Sequence, residues 1–459
     1  MNKAPGSISI CTRRVTAALL FLSTFLVRSL SAQAAAHSAG TALRGATDTT
    51  HLTINDARAA AVRANPELAA ARTDIDVARG VLRQAGILRF NPSADLLGSA
   101  AGGIGAEIGL SQEIEVGGQR GARRAVARAG VSRATFSVAD AARVTLFDVD
   151  RTFYRAVASD RRAALASEVL ALNERLAQAA TRQLREGEIS KLDYNLSVVE
   201  LGRSRARALA ARREQQQSQI ELRRVVGLPF TTPTVAVFDS TVHRHLVVDS
   251  SGSNPHVDFS AFGADGDTTV DALVSRALAR RPDLGERESA VTQANADVTL
   301  ARREALPNLF ARVLSQTNDA GNGRVLRPGI GLSLPLFNRN QGEIEARRAV
   351  ARRTTLERAA LVTRVGAEVE SAFRGYLAAA GEVEVLERTV LGPARDNRRL
   401  LEAAYREGKV GLPVLLLIRN QVIDAEQEYW TAWLAERVAA ADLTAAVATS
   451  APTETRARP

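Results

Sequence analysis

The heptapeptide ARRAVAR occurs twice, at Ala122–Arg128 and again at Ala346–Arg352. Three more landmarks recur in the same order. Asn65-Pro66-Glu67-Leu68 parallels Arg281-Pro282-Asp283-Leu284, and Ile108-Gly109-Leu110-Ser111 parallels Ile330-Gly331-Leu332-Ser333. Arg185-Glu186-Gly187 parallels Arg406-Glu407-Gly408. The offset between partners stays within about 216 to 224 residues. Ala- and Arg-rich sequence yields chance matches easily, but not ordered ones at a near-constant spacing. The chain therefore reads as a tandem duplication, and its fold must be built from two copies of one plan.

Each copy starts with a helix of moderate length, about 53–88 and 269–306. Pro66 and Pro282 inside these helices predict a kink or a late start. Two short β-like runs follow, then a very long helical stretch, about 118–186 and 341–407. A tight Gly-containing turn leads to a return helix, about 190–226 and 412–447. Each long stretch holds roughly 65 residues, or about 100 Å of helix. No proline interrupts them before Pro393, which predicts a kink near the far end of the second. Leu165, Val169, Leu172 and Leu176 recur in steps of four and three, the spacing of a coiled-coil seam. The composition agrees: 46% hydrophobic and 24% charged but only 4% aromatic suits Ala/Arg-rich helices better than a globular core.

The β-like runs have period two. In the first copy Ile104, Ala106, Ile108, Leu110 and Ile114 alternate with Gly105, Glu107, Gly109, Ser111 and Glu113. In the second, Ile330, Leu332, Leu334 and Leu336 alternate with small or polar residues. Ile104, Ala106, Ile108, Leu110, Ile330, Leu332, Leu334 and Leu336 are thus candidates for a lipid-facing row on hairpins spanning about 92–114 and 308–336. Soluble hairpins packed on a helix would show the same periodicity. Four strands cannot close a barrel, and open sheet edges are not tolerated in lipid, so a membrane reading requires several protomers to share one barrel.

The N-terminus favours the membrane. Lys3, Arg13 and Arg14 precede an apolar run from Val15 to Val27, and Ser31-Ala32-Gln33-Ala34-Ala35-Ala36 offers small-x-small cleavage sites. Residues 1–34 read as a secretory signal peptide. Its removal lowers the formal charge from +10 to about +6, by the loss of Lys3, Arg13, Arg14 and Arg28. No later segment has eighteen consecutive apolar residues, which argues against a helical membrane transporter. The single cysteine, Cys11, excludes an intrachain disulfide. Motifs for phosphate binding, serine hydrolysis or zinc proteolysis are missing, so no catalytic residue, cofactor or metal site is expected. His243, His245 and His256 lack tight ligand spacing and read as a solvated loop. Arg120, Arg123, Arg124 and Arg128 suggest a role at a membrane boundary more than nucleic-acid binding.

The duplicated helix–hairpin–helix plan resembles the TolC-like outer-membrane efflux proteins across nearly the whole chain. LSQEIEVGGQRGARRAVARA (Leu110 to Ala129) and LSLPLFNRNQGEIEARRAVA (Leu332 to Ala351) look like the segments leaving the two hairpins in the heavy-metal, CzcC/CusC-like branch. LREGEISKLDY (Leu184 to Tyr194) and YREGKVGLPVL (Tyr405 to Leu415) resemble the helix–turn–helix tips of that family. The resemblance implies a mainly α protein with a membrane β portion: a coiled-coil α-barrel crossing the periplasm below a trimeric, twelve-stranded outer-membrane β-barrel, with four strands from each protomer. It implies loops near 100–103 and 318–327 outside the cell. A periplasmic adaptor would meet the tips at Gly187, Ile189 and Ser190, and at Gly408, Val410, Gly411 and Leu412. Asp193 falls where the family carries a periplasmic gate aspartate, but Leu415 to Asn420 in the second copy has no acid. An Asp in the first turn of a helix also complements its dipole, the more ordinary role.

The expected organisation is a signal peptide (1–34), an N-terminal tail (35–52), a first efflux repeat (53–226), an inter-repeat segment (227–268), a second repeat (269–448) and a C-terminal tail (449–459). The expected function is a passive outer-membrane duct, not an enzyme, in a tripartite efflux pump. It would take heavy-metal cations from an inner-membrane pump of the resistance-nodulation-division type. The alternatives are a duct for drugs or type I protein secretion, and a secreted coiled-coil protein without a pore.

Overall fold

The computed structural model describes residues 51–99, 105–229, 236–237, 269–317 and 323–448. The expected signal peptide, the C-terminal tail, Ile104 and the loop histidines lie outside the described residues.

The first copy comprises β1 (His51–Leu52), α1 (Ile54–Ala64), α2 (Pro66–Ala85), β2 (Ser93–Ser99), β3 (Gly105–Ile114), α3 (Gln119–Glu186) and α4 (Lys191–Val226). After β4 (Ala236–Val237), which pairs in parallel with β1, the plan repeats. The second copy comprises α5 (Val270–Arg280), α6 (Pro282–Glu304), β5 (Leu309–Thr317), β6 (Arg324–Leu332), α7 (Gln341–Val385), α8 (Gly392–Arg406) and α9 (Leu412–Val447).

The first helix of each copy is broken in two at its proline. A residue before proline is pushed out of the helical region, and Asn65 and Arg281 adopt ψ 121° and 124°. The break is used in packing. Asn65 caps α2 by accepting from the Leu68 N–H at 2.9 Å, and its amide donates to the Val225 carbonyl at the end of α4, at 2.8 Å. Arg281 takes the same place in the second copy: it donates to the Ala446 carbonyl near the end of α9 and pairs with Asp283 (2.6 Å) and Glu368 (2.7 Å). At each corner the end of the return helix is satisfied by a side chain from the next helix up.

The long helices differ. α3 runs unbroken for 68 residues, whereas its counterpart is interrupted by a six-residue π-helical segment, Leu386–Leu391, between α7 and α8. Pro393 has no N–H to give to the preceding turn, so the expected kink takes the form of a widened turn just before it. The seam between α3 and α4 also departs from expectation. The fully buried residues on this stretch of α3 are Ala163, Ala166, Asn173, Ala177 and Ala180, Asn173 facing α9, with the leucines at 165, 172 and 176 only half-buried. α4 answers with Ser197, Ser204, Ala208 and Ser218, and Ser159 Oγ meets Ser218 Oγ at 2.6 Å inside the seam. Small residues hold these helices together by close approach, not by interlocking leucines.

β2, β3, β5 and β6 form one antiparallel sheet in that order, so hairpins from both copies join through β3 and β5. Near the sheet the helices keep the same sequence, with α3 packed on α2 and α6, and α6 on α7. Farther away, α3 packs on α4 and α9, and α9 on α8. The two repeats thus make one sheet above and one curved layer of helices below, with free edges at β2 and β6. Among the described residues no helix is long and apolar enough to cross a membrane.

Candidate functional site

The sheet has two chemically distinct faces. The strand registers place Leu96, Ile108, Leu110, Val313, Leu326, Ile330 and Leu332 on one face, with Ala94, Ala311 and Pro328. The other face carries Asp95, Glu107, Ser111, Glu113, Arg312, Gln316 and Arg327. The apolar row is presented outward: Leu96 is 75% exposed, Leu326 68% and Ile330 80%. A face on which exposed leucine and isoleucine outnumber Gln112 and Ser315 is one that lipid would solvate, while the face that holds those charged residues, together with Phe310, Leu314 and Val325, suits an aqueous lumen. Two expected members of the row are corrected. β6 ends at Leu332, so Leu334 and Leu336 are exposed but belong to the segment leading into α7. β6 also starts at Arg324, so residues 324–327, expected in an outer loop, are strand.

Where strands give way to helices, the polar face opens onto a cavity of about 410 Å³ lined by Arg89, Glu113, Glu115, Gln119, Glu304 and Asn308 among others. Asn308 donates to Glu113 at 2.7 Å, and the buried Gln119 amide donates to Asn308 at 3.1 Å and to the Leu306 carbonyl at 3.3 Å. Arg123 grips Glu115 through both guanidinium ends, one at 2.8 Å, and that hydrogen bond raises its pKa. Arg89 reaches Glu304 at 3.1 Å. This polar collar ties β3, α3 and the α6–β5 joint at the foot of the sheet. Gln119 and Asn308 were not singled out from the sequence, because nothing local marks them: their partners are nearly 190 residues apart.

At the opposite end of the helices are two turns. Gly187 ends α3 in the left-handed region (φ 77°) and Gly408 does the same after α8 (φ 71°). Ser190 caps α4 by accepting from the Asp193 N–H at 3.1 Å, and its hydroxyl donates to the Asp193 carboxylate at 2.8 Å. Asp193 is therefore engaged in helix capping within the protomer. Ile189 is half-buried, and Val410 packs on a small apolar cluster of Leu401, Leu412, Leu415 and Leu416. Leu412, expected at a docking surface, is only 6% exposed and anchors the second turn from within. Two turns into α9, Arg419 is buried. Its Nη2 donates to Asn173 of α3, while Nε and Nη1 have no hydrogen-bond partner among the described residues. Burial lowers its pKa, against the pull of Glu200 and Glu402.

Residues 273–449 match the family model described as outer membrane efflux protein. The second copy of the plan thus carries that family's domain. The chain is also similar to the cobalt-zinc-cadmium resistance protein CzcC of Cupriavidus metallidurans, at 24% identity over 82% of this chain and 85% of the relative. Its fold is that of the Campylobacter jejuni CmeC outer membrane channel (TM-score 0.70, 14% identity, covering 86% of this chain and 85% of that one). A crystal structure of CusC superposes with TM-score 0.67 at 16% identity, covering 86% and 91%.

The second copy is thus that of an outer-membrane efflux protein, and the fold is that of outer-membrane channels. The mid-body of the chain is held by polar locks that connect distant segments. Arg58 of α1 pairs with Asp150 of α3 through two bonds, at 2.7 and 2.6 Å. Burial raises the Asp150 carboxyl even so, with Arg58 pulling the other way. Beside this lock, Tyr154, Trp430 and Trp433 stack edge to face, and Tyr429 donates to Glu387 of the π segment at 2.9 Å. Among the described residues no group of three or more His, Cys, Asp or Glu could hold a metal ion.

Proposed function

We propose that this efflux protein is the exit duct of a tripartite pump, assembled as a homotrimer and carrying divalent metal cations. The observation that carries the reading is the four-stranded sheet with an apolar outer face and two free edges, β2 and β6. Unpaired strand edges are too costly in lipid to persist, so β6 of one copy must pair with β2 of the next until the ring closes. The edges differ, which makes the contact head to tail and gives a ring, not a two-fold dimer. Three copies would give twelve strands. The helices carry the same pair of unlike edges, α2 and α4 on one side, α7 and α8 on the other.

Residues 53–226 and 269–448 then act as two equivalent repeats of each protomer. An adaptor protein docks on the tips through Gly187, Ile189, Ser190, Gly408, Val410 and Gly411, with Leu412 supporting the second turn. An inner-membrane pump of the resistance-nodulation-division type supplies the energy. Metal cargo rests on the likeness to CzcC and on a polar collar that places Glu113, Glu115 and Glu304 around the foot of the sheet. Asp193 serves the tip as a helix cap, and a gate role would add to that.

The test is conductance of the detergent-extracted oligomer in a planar bilayer, with zinc and potassium as charge carriers. Discrete steps from a heat-stable trimer, and metal sensitivity in cells lacking the gene, are the expected results. A folded, detergent-independent monomer without conductance would refute the duct. A conducting trimer whose loss sensitises cells to drugs but not to metals would refute only the cargo.

A further inference from the structure

The outer surface just below the sheet carries arginines that no carboxylate accompanies. Arg83 ends α2, Arg124 and Arg128 open α3, and Arg302 ends α6; all four are exposed, and none makes an ion pair among the described residues. Arg120 and Arg303 stand beside them, donating only to the Gly86 and Gly117 carbonyls. Elsewhere on the helices some arginines are paired, as Arg79 is with Asp76 and Arg133 with Glu286, and others, such as Arg207 and Arg212, are not, so the position of these four beside the sheet is what sets them apart.

These side chains lie outside the duct. The collar cavity and a neighbouring groove lined by Ala78, Val81, Arg123, Val126, Gly130 and Leu300 share Arg89 and open on the side of the sheet's polar face. At 100° per residue, Arg124 and Arg128 lie about 110° and 150° round α3 from its groove-lining residues Arg123, Val126, Ala127 and Gly130. Arg83 on α2 and Arg302 on α6 lie about 170° round from the groove-lining residues of their own helices. The four arginines therefore share the side of the sheet's apolar face.

Helix dipoles account for part of the pattern. Arg83 and Arg302 complement helix C-termini. Arg120 and Arg124 do not. They sit in the first two turns of α3, whose first turn has no acid and whose N-cap, Gly118, offers no side chain. Cations there oppose the dipole. Arg120 is relieved by donating to the Gly86 carbonyl at the end of α2. Arg124 makes no ion pair among the described residues, so an anion from outside the chain would be favoured beside it. The apolar sheet face fixes where that anion comes from. Arg83 and Arg302 lie within two residues of their helix ends, and Arg124 about 8 Å below the start of α3, which puts all three within side-chain reach of a headgroup layer.

We infer that these arginines form a belt that binds anionic phospholipid headgroups of the periplasmic leaflet, setting the height at which the duct sits. The belt continues the lipid-facing surface: apolar side chains meet the acyl region, and guanidinium groups meet the phosphates just below. Each basic residue near an anionic surface is worth about fivefold in partition at low salt, so removing three should weaken the preference by more than tenfold.

The inference rests on the sheet lying in the membrane, so the experiment measures both. Full-length protein and the triple variant Arg83→Gln, Arg124→Gln, Arg302→Gln are reconstituted into nanodiscs of neutral phosphatidylethanolamine, with or without a quarter phosphatidylglycerol. A charge-matched control carries Arg207→Gln, Arg212→Gln and Arg213→Gln on α4, far from the sheet. Bound lipid is counted by native mass spectrometry, and conductance is recorded on the same preparations. Wild type and control should retain the anionic lipid at least tenfold over the neutral one, with the preference falling as salt rises and inorganic phosphate failing to compete. The triple variant should lose the preference while still conducting. Equal retention by the triple variant, or competition by free phosphate, would overturn the belt. Loss of conductance in every sample would instead refute the duct.

Discussion

Ile108 and Glu107 are neighbours on β3 that face opposite ways, and exchanging each for arginine tests the assignment of the two sheet faces. The register aligns Ile108 with Leu96 and Ser315 on the apolar face, and Glu107 with Gln316 on the polar one. Ile108 is 43% exposed on the protomer, so an arginine there meets no steric barrier from its own chain. Its cost comes from lipid. At the bilayer midplane an outward arginine destabilises a membrane barrel by about 2–4 kcal/mol, falling to about 0–1 near the interfaces. Ile108 lies six residues from the base of β3 at Ile114, or about 20 Å up the strand before tilt is counted, which is well inside the hydrocarbon. Ile108→Arg should therefore cost about 2–4 kcal/mol per protomer, roughly a 30- to 900-fold shift in the unfolding equilibrium. Glu107→Arg should cost less than about 1 kcal/mol and should instead move ion preference away from cations, because it reverses a charge in the lumen. The assay is urea unfolding in lipid vesicles, followed by tryptophan fluorescence, with reversal potentials measured in parallel. If Glu107→Arg proves as destabilising as Ile108→Arg, or if Ile108→Arg inserts and unfolds like wild type, the faces are misassigned and the duct argument fails with them.

Three other expectations can be checked by thermal unfolding. A Cβ at Gly227 would stand 2.3 Å from the Ala64 carbonyl oxygen, at a backbone φ of +78°, whereas at Gly187 (φ +77°) it would meet nothing within 4 Å. Gly187→Ala should cost about 1–2 kcal/mol from backbone strain alone, and Gly227→Ala should cost clearly more; equal melting temperatures would refute the packing of α4 on the α1–α2 corner. Arg419→Met combined with Asn173→Leu removes a buried, under-bonded cation and its lone acceptor together, and should be neutral or stabilising by about 1–4 kcal/mol; a fall in melting temperature would show that Arg419 is better compensated than its contacts indicate. Acid titration should separate two carboxylates of opposite sign. Burial raises the Glu426 pKa against Arg398 and Arg395, so its charge costs stability at neutral pH and the cost is relieved as pH falls through the raised pKa. Asp283 is lowered by Arg281 despite burial, so its contribution is full above the ordinary carboxylate pKa and is lost as pH falls below that toward its depressed value. Glu426→Gln should accordingly raise the melting temperature at pH 7, and Asp283→Asn should lower it at pH 7 but not at pH 2; the reverse order would refute the assignment.

What was legible in the sequence followed its periodicities. The 3.6-residue pattern located the long helices to within a residue or two at most ends, and the period-two pattern on β3 matches the register that puts Ile108 and Leu110 on one face. Parity alone overran the second hairpin. Leu334 and Leu336 keep the alternation, but Pro335 between them has no N–H for a ladder, and the strand stops at Leu332. The leucine spacing on α3 pointed to a seam in the right place with the wrong residues in it. Ala166, Ala177 and Ala180 are what is buried there, with Asn173 turned to Arg419 of α9, because small side chains let the axes close in and leave the leucines half-buried. The collar was not legible at all. Gln119, Asn308 and Glu113 are brought together by the joining of two hairpins from different copies, and no local pattern encodes that contact.

The two copies diverge where a duct needs unlike parts. A four-stranded unit that closes head to tail gains nothing from identical edges, and β2 (SADLLGS) and β6 (RVLRPGIGL) have opposite formal charge, so like edges repel and unlike edges attract. The long helices diverge in continuity. α3 is unbroken and seamed to α4 by small residues along its length, so the first hairpin is a stiff rod. The second hairpin carries the π segment at Leu386–Leu391, an isolated apolar cluster at its turn and the under-bonded Arg419 between its helices and α3. A π segment leaves the i to i−4 ladder locally unmet, and a buried cation with free donors has more to gain than to lose from new partners. Both features lower the cost of moving α8 and the lower part of α9 relative to the first hairpin, while Tyr429 and the tryptophan cluster hold α9 fast at the level of the π segment itself. Motion at the periplasmic end should therefore belong to the second tip and pivot near Leu386–Leu391. Hydrogen exchange should find amides of Gly392–Arg406 opening well before those at the same height on α3, and equal protection of the two hairpins would rule out that division of labour.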